Sequence, residues 1–358
     1  MDLLDREHAA VWPEIEAKLA ERPHPQVPGS KGIEPHHLTA ARHILLKDSM
    51  IEEVAGVTRG GGSLSVLTLR DRKRRETAFQ RAAGRKRLLQ ARYLSWTQDT
   101  PHRPNMIGAA GERVVHASLC VAASDPAVGY RLVKPGGGQI STLLGHRVVG
   151  GPLDNTAYLT IFDGRGLPIS AVTIVEVKNV RHWLYPSAAE IFQLVEKAVH
   201  LQTAHPDIAF VPVLVCRQAH YLTFTMAKDL GCFIFYTDIQ PILPHSEVQP
   251  KALAAVRDGL GYNLLQTDSA HDGLVRAFKV ILPKYAWNAA QQWRQTAPIL
   301  RGILPTIQQL RLPSLSPTAR NTMMDTLKRV AITELGASGA WVQGTGRPSI
   351  PQEDDLPI

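Results

Sequence analysis

Apolar and polar positions along the chain predict a β-hairpin between Leu153 and Asn179. The first arm, Asn155 to Phe162, is rich in β-branched and aromatic residues, and the second, Ile169 to Val177, is almost continuous valine, isoleucine and threonine, as expected of a buried strand. Between the arms, Asp163 to Gly166 carries two glycines, which supply the positive φ angles of a tight turn. We therefore expect an antiparallel pair that folds about Arg165.

The register of this hairpin brings charged residues together at the end away from the turn. Folding about Arg165 sets Asp154 opposite Glu176, and Lys178 follows two residues later on the same face of its strand. Two carboxylates at the end of an apolar hairpin favour a hard divalent cation, because buried charges need a partner. Asp163 lies at the opposite end of the hairpin from Glu176, so we interpret it as a turn residue.

Apolar periodicity predicts further elements after the hairpin. We expect a helix over Ser187–His205, with Ser187 as its N-cap and Glu190 completing a capping box. Two buried strands, Asp207–Cys216 and Cys232–Thr237, follow with a short helix between them. Alternating strands and helices of this kind predict an α/β fold with a mixed sheet covered by helices.

The N-terminal part of the chain has a pattern of its own. Residues 1–20 predict a short amphipathic helix, and a second helix is expected over residues 36–50. Residues 51–69 then predict a strand, a glycine-rich tip that carries Arg59, and a second strand. A helix followed by such a hairpin resembles the second half of a winged helix-turn-helix.

Positive charge is concentrated just after this N-terminal hairpin. The 358-residue chain has a net charge of +8, and residues 70–92 hold eight arginines and two lysines against Asp71 and Glu76, which matches the surplus of the whole chain. A charge run is usually a solvated helix face, but this one adjoins a candidate wing, which favours contact with nucleic-acid phosphates. The predicted contacts are Arg59, Arg70, Arg72, Lys73, Arg74, Arg75, Arg81, Arg85, Lys86 and Arg87.

Composition excludes several other classes of protein. The three cysteines are dispersed and lack CxxC spacing, which predicts reduced thiols of a cytoplasmic protein and neither a zinc site nor a disulfide framework. No apolar run approaches transmembrane length, and the acidic N-terminus does not resemble a signal peptide. The glycine runs at 60–62 and 136–138 lack the Lys-Ser/Thr of a P-loop, so we expect no nucleotide-driven motor and no membrane partner.

Asp154 and the tripeptide Glu176–Lys178 together resemble the active-site motif of the PD-(D/E)XK nuclease superfamily, the fold of many restriction enzymes and archaeal Holliday-junction resolvases. The proline of that motif is absent, because Leu153 precedes Asp154. The resemblance covers roughly Met106 to Asp238. It implies a restriction-endonuclease-like αβββαβ core that acts on DNA with Mg²⁺ or Mn²⁺.

The resemblance also implies roles for individual residues. The superfamily places a glutamate on a helix before the hairpin, and Glu112 within Gly108–Leu119 matches it. Gln193 and Lys197 lie on the helix after the hairpin, where several branches carry a Gln or Lys near the scissile phosphate, although either is as readily a plain surface residue. The implied metal ligands are Asp154, Glu176, the Val177 carbonyl and Glu112, and the implied catalytic residues are Glu112, Asp154, Glu176, Lys178 and Gln193.

The resulting domain assignment has four parts. Residues 1–27 form an N-terminal helix and linker, 28–100 a basic, winged-helix-like DNA-binding region, 101–243 the nuclease-like domain, and 244–358 a helical C-terminal region with a flexible tail.

The preferred interpretation is a metal-dependent DNA endonuclease of bacterial defence or DNA processing. The resemblance further implies a homodimer that cuts both strands of a duplex. Alternatives are a non-catalytic DNA-binding regulator with a vestigial nuclease fold, a structure-selective resolvase, or an RNase.

Overall fold

The computed structural model describes residues 1–21, 32–57, 62–71, 76–244, 248–312 and 314–335. The chain divides into two compact units. The N-terminal unit combines Met1–Ala109 with Ile239–Gln266, and the C-terminal unit combines Ala110–Asp238 with Thr267–Ile358. This grouping differs from the predicted boundary at residue 243, because Ile239–Gln266 packs with the N-terminal residues.

The first part of the N-terminal unit is a set of helices around a hairpin. Its elements are α1 (Asp2–Glu7), α2 (Trp12–Leu19), α3 (Pro35–Lys47), β1 (Ile51–Val54), β2 (Val66–Leu69) and α4 (Glu76–Trp96). β1 and β2 pair antiparallel, as predicted. The predicted single helix over residues 1–20 is wrong: His8 has a φ of 63° and Ala10 pairs with Leu67 of β2, so the chain leaves the helix between α1 and α2.

A five-stranded mixed sheet forms the centre of the C-terminal unit. The elements here are α5 (Met106–Ala123), β3 (Tyr130–Leu132), β4 (Thr142–Leu143), β5 (His146–Arg147), β6 (Asn155–Phe162), β7 (Pro168–Lys178), α6 (Ala189–Ala204), β8 (Ala209–Cys216), α7 (Tyr221–Leu230) and β9 (Phe233–Tyr236). The strand order is β3-β6-β7-β8-β9. The β3–β6 and β6–β7 pairs are antiparallel, and the β7–β8 and β8–β9 pairs are parallel. The predicted mixed sheet is therefore present.

The chain then returns to the N-terminal unit. It does so through β10 (Gln240–Ile242), α8 (Pro250–Leu260) and β11 (Leu264–Gln266), with β10 and β11 paired in parallel. α8 buries Leu253, Val256 and Leu260 and packs against α2 and α4. The approach to α4 is close, since a Cβ on Gly259 would lie 2.5 Å from Leu89 Cδ1. Burial of this apolar helix face holds the segment in the N-terminal unit.

The rest of the described chain is helical and covers the sheet of the C-terminal unit. It comprises α9 (Asp272–Arg276), a π-helical segment (Ala277–Ile281), α10 (Leu282–Gly302), α11 (Leu304–Leu310) and α12 (Pro317–Leu335). Apolar side chains form a core on each face of the sheet; β8 sends Phe210 and Leu214 into one core and Val211 and Val213 into the other. Within the described ranges, no helix is long and apolar enough to cross a membrane.

The register of the β6–β7 hairpin is the predicted one. Asn155 pairs with Val175, and Phe162 pairs with Pro168, so the next step of the ladder sets Asp154 across from Glu176. Asp163 is a turn residue, as predicted: its Oδ1 accepts the N–H groups of Arg165 and Leu167, each at 2.8 Å. The backbone hydrogen bond from Leu167, helped by that from Arg165, lowers the pKa of Asp163.

The start of α6 departs from the prediction. The helix begins at Ala189 with Ala188 as its N-cap, and no side chain caps it, so the capping box of Ser187 and Glu190 is wrong. Glu190 instead pairs with His182, whose Nε2 lies 3.3 Å from Glu190 Oε1. This contact gives the glutamate a partner outside the helix, which a local capping motif does not anticipate.

Candidate active site and nucleic-acid interface

Asp154 directly precedes β6 and faces the end of β7. Its Oδ2 accepts a hydrogen bond from the Val177 N–H at 2.7 Å. Its side chain is buried, with 8% of the residue exposed. Because Val177 lies between Glu176 and Lys178, this bond fixes the carboxylate beside both of its predicted partners.

Glu176 is buried on β7, and each of its carboxylate oxygens meets a lysine. Lys178 Nζ lies 2.8 Å from Oε1, and Lys197 Nζ lies 2.6 Å from Oε2. The side chain of Lys178 is 18% exposed, whereas those of Glu176 and Lys197 are 1% exposed. The structure thus joins Glu176 and Lys178, as the hairpin register predicts, and adds Lys197 from α6.

The electrostatic environment of Asp154 disfavours its charged form. Burial, which removes the carboxylate from water, and the neighbouring charges of Glu176 and Glu112 raise the pKa of Asp154 to about 7. The Val177 N–H and the Lys178 ammonium act in the opposite direction but do not offset this. The protonated form of Asp154 is therefore favoured relative to that of an exposed aspartate.

Glu112 comes from α5, which approaches the end of β7 closely. A Cβ on Gly111 would lie 2.7 Å from Asn179 Cβ and 3.3 Å from Val177 Cγ1, so a larger side chain would push the helix away. Glu112 is half-buried, and its charge contributes to the raised pKa of Asp154.

A tight three-residue group of metal-ligating side chains occurs elsewhere. Glu34, His36 and His37, at the start of α3, are the one set of three His, Cys, Asp or Glu side chains in the described part of the chain whose ligand atoms all lie within 4.8 Å of one another. The sequence analysis did not predict this cluster, and both histidines are exposed. Glu112, Asp154 and Glu176 are described residues but do not form such a set. Asp154 and Glu176, whose hydrogen bonds meet at the end of β7, form the nucleus of the candidate centre.

α6 contributes Lys197 to the site. Besides its contact with Glu176, Lys197 Nζ donates a hydrogen bond to the Pro152 carbonyl at 2.5 Å. Gln193, the residue predicted for catalysis, lies four residues earlier on the same helix and is half-buried. The side chain from α6 that contacts the acids is therefore Lys197, which the sequence analysis weighed equally against a surface position.

Two further residues that sequence reasoning did not assign to the site hold its surroundings in place. His116 Nδ1 lies 2.9 Å from Asn155 Oδ1, beside Asp154, and His116 Nε2 lies 3.1 Å from the Pro135 carbonyl. Arg217 follows β8 and is 1% exposed. Its guanidinium donates to the carbonyls of residues 180 and 181 in the loop after Lys178. No local motif marks either residue, because each acts across a long stretch of sequence.

Lys86 does not belong to an exposed basic surface, so this predicted nucleic-acid contact is wrong. It is 5% exposed, and its ammonium pairs with Glu14, with Glu7 Oε2 at 2.9 Å and with the Gly259 carbonyl at 2.9 Å. Lys18 pairs with the same two acids. The lysine sits on the inward side of α4, where a charge needs this many partners.

The other basic residues of this region divide into three groups. Arg87 donates to the carbonyls of Val54 at 2.8 Å and Leu64 at 3.0 Å, so it fastens α4 to the β1–β2 hairpin. Arg70, Arg81 and Arg85 are exposed and keep their predicted role as candidates. Five of the predicted contacts lie outside the described residues: Arg59, Arg72, Lys73, Arg74 and Arg75.

The outward face of α3 is a second candidate surface of the N-terminal unit. His36, Ala40, His43, Ile44 and Lys47 are all exposed, and their spacing places them on one side of a helix. The opposite side carries the buried Leu38. This surface contains no run of positive charge, so it could not be recognised from charge along the sequence.

Comparison of the chain with protein-family models, with curated proteins and with solved structures finds no match.

Proposed function

We propose that the protein is a divalent-cation-dependent endonuclease that hydrolyses phosphodiester bonds in DNA. One observation carries the proposal: Asp154, Glu176 and Lys178 meet at the buried end of the β6–β7 hairpin. Asp154 is bonded to the Val177 N–H at 2.7 Å, and Lys178 is bonded to Glu176 at 2.8 Å. This is the arrangement of acids and lysine on which the resemblance to PD-(D/E)XK nucleases rests.

The chemistry of the donor set fits a hard cation. Asp154, Glu176 and the Val177 carbonyl offer oxygen atoms only, which Mg²⁺ and Mn²⁺ prefer. The raised pKa of Asp154 shows that its charged form is disfavoured where it lies, and a bound cation would offset that effect. Glu112, whose charge acts on Asp154, would hold a water of the ion or a second ion.

The chain's own residues supply binding and orientation for the reaction. A bound Mg²⁺ or Mn²⁺ would acidify a water molecule and offset charge on the phosphate. Lys178 is the lysine of the site with solvent-exposed surface, so it would donate hydrogen bonds to the attacking water or to a phosphate oxygen. Gln193, on the adjacent helix, is kept as a candidate contact to the phosphate.

The order of elements supports the same proposal. Apart from the short β4–β5 pair between β3 and β6, the order is α5, the antiparallel strands β3, β6 and β7, then α6 and the parallel strand β8, as in the αβββαβ core of restriction-endonuclease-like folds. A likeness of fold alone does not establish an activity, so the acids and the lysine remain the ground of the proposal.

The N-terminal unit would bind the DNA. α1, the Ala10–Leu67 bridge, α2, α3 and the β1–β2 hairpin follow in the order of a winged helix. In that arrangement the outward face of α3 would enter a groove, while Arg70, Arg81 and Arg85 would contact phosphates. The net charge of +8 favours such an anionic partner.

A cleavage assay tests this proposal. Supercoiled DNA, a four-way junction and RNA would be incubated with the protein in Mg²⁺, Mn²⁺ or EDTA, beside Glu176→Gln and Lys178→Met. We expect metal-dependent DNA cleavage that falls by about a hundredfold or more in each variant. RNA or junctions cut in preference to plain duplex would instead identify the RNase or the resolvase.

Asp163→Asn is the matched control, because it changes an acid at the other end of the same hairpin. An asparagine oxygen can accept the same two turn hydrogen bonds, so cleavage should be unchanged. Cleavage that survives both site variants would contradict the proposed site. DNA binding without cleavage under any metal condition would favour the non-catalytic regulator.

A further inference from the structure

Lys197 occupies a position that a substrate-binding lysine could not use. It is 1% exposed, so its ammonium cannot reach a phosphate in solvent. Its two hydrogen-bond acceptors, Glu176 Oε2 at 2.6 Å and the Pro152 carbonyl at 2.5 Å, lie on different segments of the chain. Lys197 therefore links the strand that carries Glu176 to the segment that leads into Asp154.

This link divides the two oxygens of Glu176 between two unlike lysines. Oε2 faces Lys197, which is enclosed, and Oε1 faces Lys178, which is 18% exposed. A lysine with access to water can give up its carboxylate partner at little cost, whereas an enclosed lysine would leave a buried charge behind. An arriving cation would therefore replace Lys178 at Oε1, whereas Oε2 would stay bonded to Lys197.

We propose that Lys197 is a positioning residue that holds Glu176 and the Asp154 segment in the geometry that binds a divalent cation, and that Lys178 leaves Glu176 Oε1 when the cation binds. This inference rests on the proposed function of the same site. Partners that orient metal ligands commonly contribute ten- to a hundredfold to metal affinity.

The sign of the effect separates positioning from simple charge repulsion. Removing a positive charge beside a cation site should tighten cation binding if repulsion alone acts. Loss of Lys197 should weaken it, because Glu176 and the Pro152 segment lose their common anchor. Loss of Lys178 should leave it unchanged or tighten it, because that lysine competes for Oε1.

The test is Mn²⁺ binding by the full-length protein, measured from the electron paramagnetic resonance signal of free Mn²⁺, without any substrate. We expect Lys197→Met to weaken Glu176-dependent Mn²⁺ binding at least tenfold and Lys178→Met not to weaken it. Arg311→Met is the matched control: it breaks the neighbouring ion pair of buried Glu196 on the same helix and should stay within about threefold of wild type.

Lys197→Met that binds Mn²⁺ as tightly as wild type, or more tightly, would overturn the inference while leaving the proposed function intact. Wild-type binding that Glu176→Gln does not reduce would overturn the proposed function instead. Lys197→Gln, which keeps a hydrogen-bond donor, replaces the methionine variant if that variant does not fold. It too should weaken binding, and unchanged affinity would count against the inference.

Lysine acetylation of the wild-type protein gives a second readout that needs no variant. Mn²⁺ should speed acetylation of Lys178 and leave Lys197 unreactive. If Mn²⁺ instead made Lys197 reactive, Lys197 would be the lysine that leaves Glu176 when the cation binds, and the inference would fail.

Discussion

Asp154 is buried, and the charges of Glu176 and Glu112 act on it. A carboxylate ordinarily titrates near pH 4, but here burial and the adjacent Glu176 raise the pKa of Asp154 to about 7. The charged form of Asp154 is unfavourable in this place, and the proposed cation would offset that cost. Perturbed carboxylates of this kind are common at functional sites, although buried ion pairs also produce them.

The raised pKa predicts how the stability of the metal-free protein depends on pH. Between about pH 4 and pH 7 the folded state holds a proton on Asp154 that the unfolded state has lost, so the free energy of unfolding falls as pH rises through this window. The loss is complete above pH 7 and amounts to a few kcal/mol at most, at roughly 1.4 kcal/mol per pH unit.

Denaturant unfolding in EDTA at pH 5 and pH 8 measures this effect against Asp154→Asn, which cannot titrate. Wild type should lose stability relative to the variant at the higher pH, and Mg²⁺ should restore it, since the ion binds the deprotonated carboxylate. Parallel pH profiles of the two proteins would contradict the prediction.

At the scale of elements, the hairpin could be predicted in register because strand periodicity is strict. The side chains of a strand alternate with a period of two, and the turn at Asp163–Gly166 sets the pairing. The ladder runs in the predicted register as far as Asn155 and Val175, and Asp154 accepts a hydrogen bond from the Val177 N–H beside Glu176. The start of α6 could not be predicted in the same way, because Glu190 contacts His182, which lies outside the helix, instead of forming a capping box with Ser187.

Helix α4 shows a misinterpretation that its own sequence could have prevented. Phe79, Ala83, Gln90 and Tyr93 form its buried stripe, and Lys86 falls in phase with them at helical spacing. A count of positive charge along the segment conceals that phase. The return of Ile239–Gln266 to the N-terminal unit has no comparable local signal, because it depends on which apolar faces meet.

Two helical glycines should respond in opposite ways to replacement by alanine, because one lies where α5 approaches β7 and the other faces open space. Gly111→Ala should destabilise the protein by about 1–3 kcal/mol, because its Cβ would lie 2.7 Å from Asn179 Cβ. Gly84→Ala, on α4, meets nothing within 4 Å and should stabilise by about 0.5–1 kcal/mol through helix propensity.

Thermal denaturation of the two alanine variants measures both effects. Gly111→Ala should also weaken Mn²⁺ binding, since it moves the helix that carries Glu112. A Gly111→Ala protein as stable as wild type would mean that α5 does not need its close approach to β7.

At the scale of the whole molecule, positive charge serves two separate purposes in the N-terminal unit. Lys86 and Lys18 neutralise Glu7 and Glu14 inside the unit, whereas Arg81 and Arg85 are exposed on α4. The +8 counted over residues 70–92 therefore overstates what a nucleic acid could contact, because the acids that neutralise Lys86 lie outside that segment. Of the predicted contacts on α4, Arg81 and Arg85 have the exposure that a phosphate contact requires.

This division predicts which charge changes alter DNA binding. If Arg81 and Arg85 contact phosphates, replacing both with glutamine should reduce the slope of log affinity against log salt by about 2, since each phosphate contact contributes roughly 0.9. Lys86→Met should leave the slope unchanged but lower the free energy of unfolding by about 1–3 kcal/mol, because buried Glu14 loses one of its two lysine partners and keeps Lys18.

Fluorescence anisotropy of a labelled duplex across a KCl series gives the slopes, and urea unfolding gives the stabilities. The double arginine variant should change the salt slope and leave the free energy of unfolding unchanged. Lys86→Met should lower the free energy of unfolding and leave the salt slope unchanged. A salt slope that falls equally in Lys86→Met would return that lysine to the DNA interface and contradict its burial. An unchanged slope in the double arginine variant would move the interface to the outward face of α3, where Lys47→Gln should then reduce the slope by about 1.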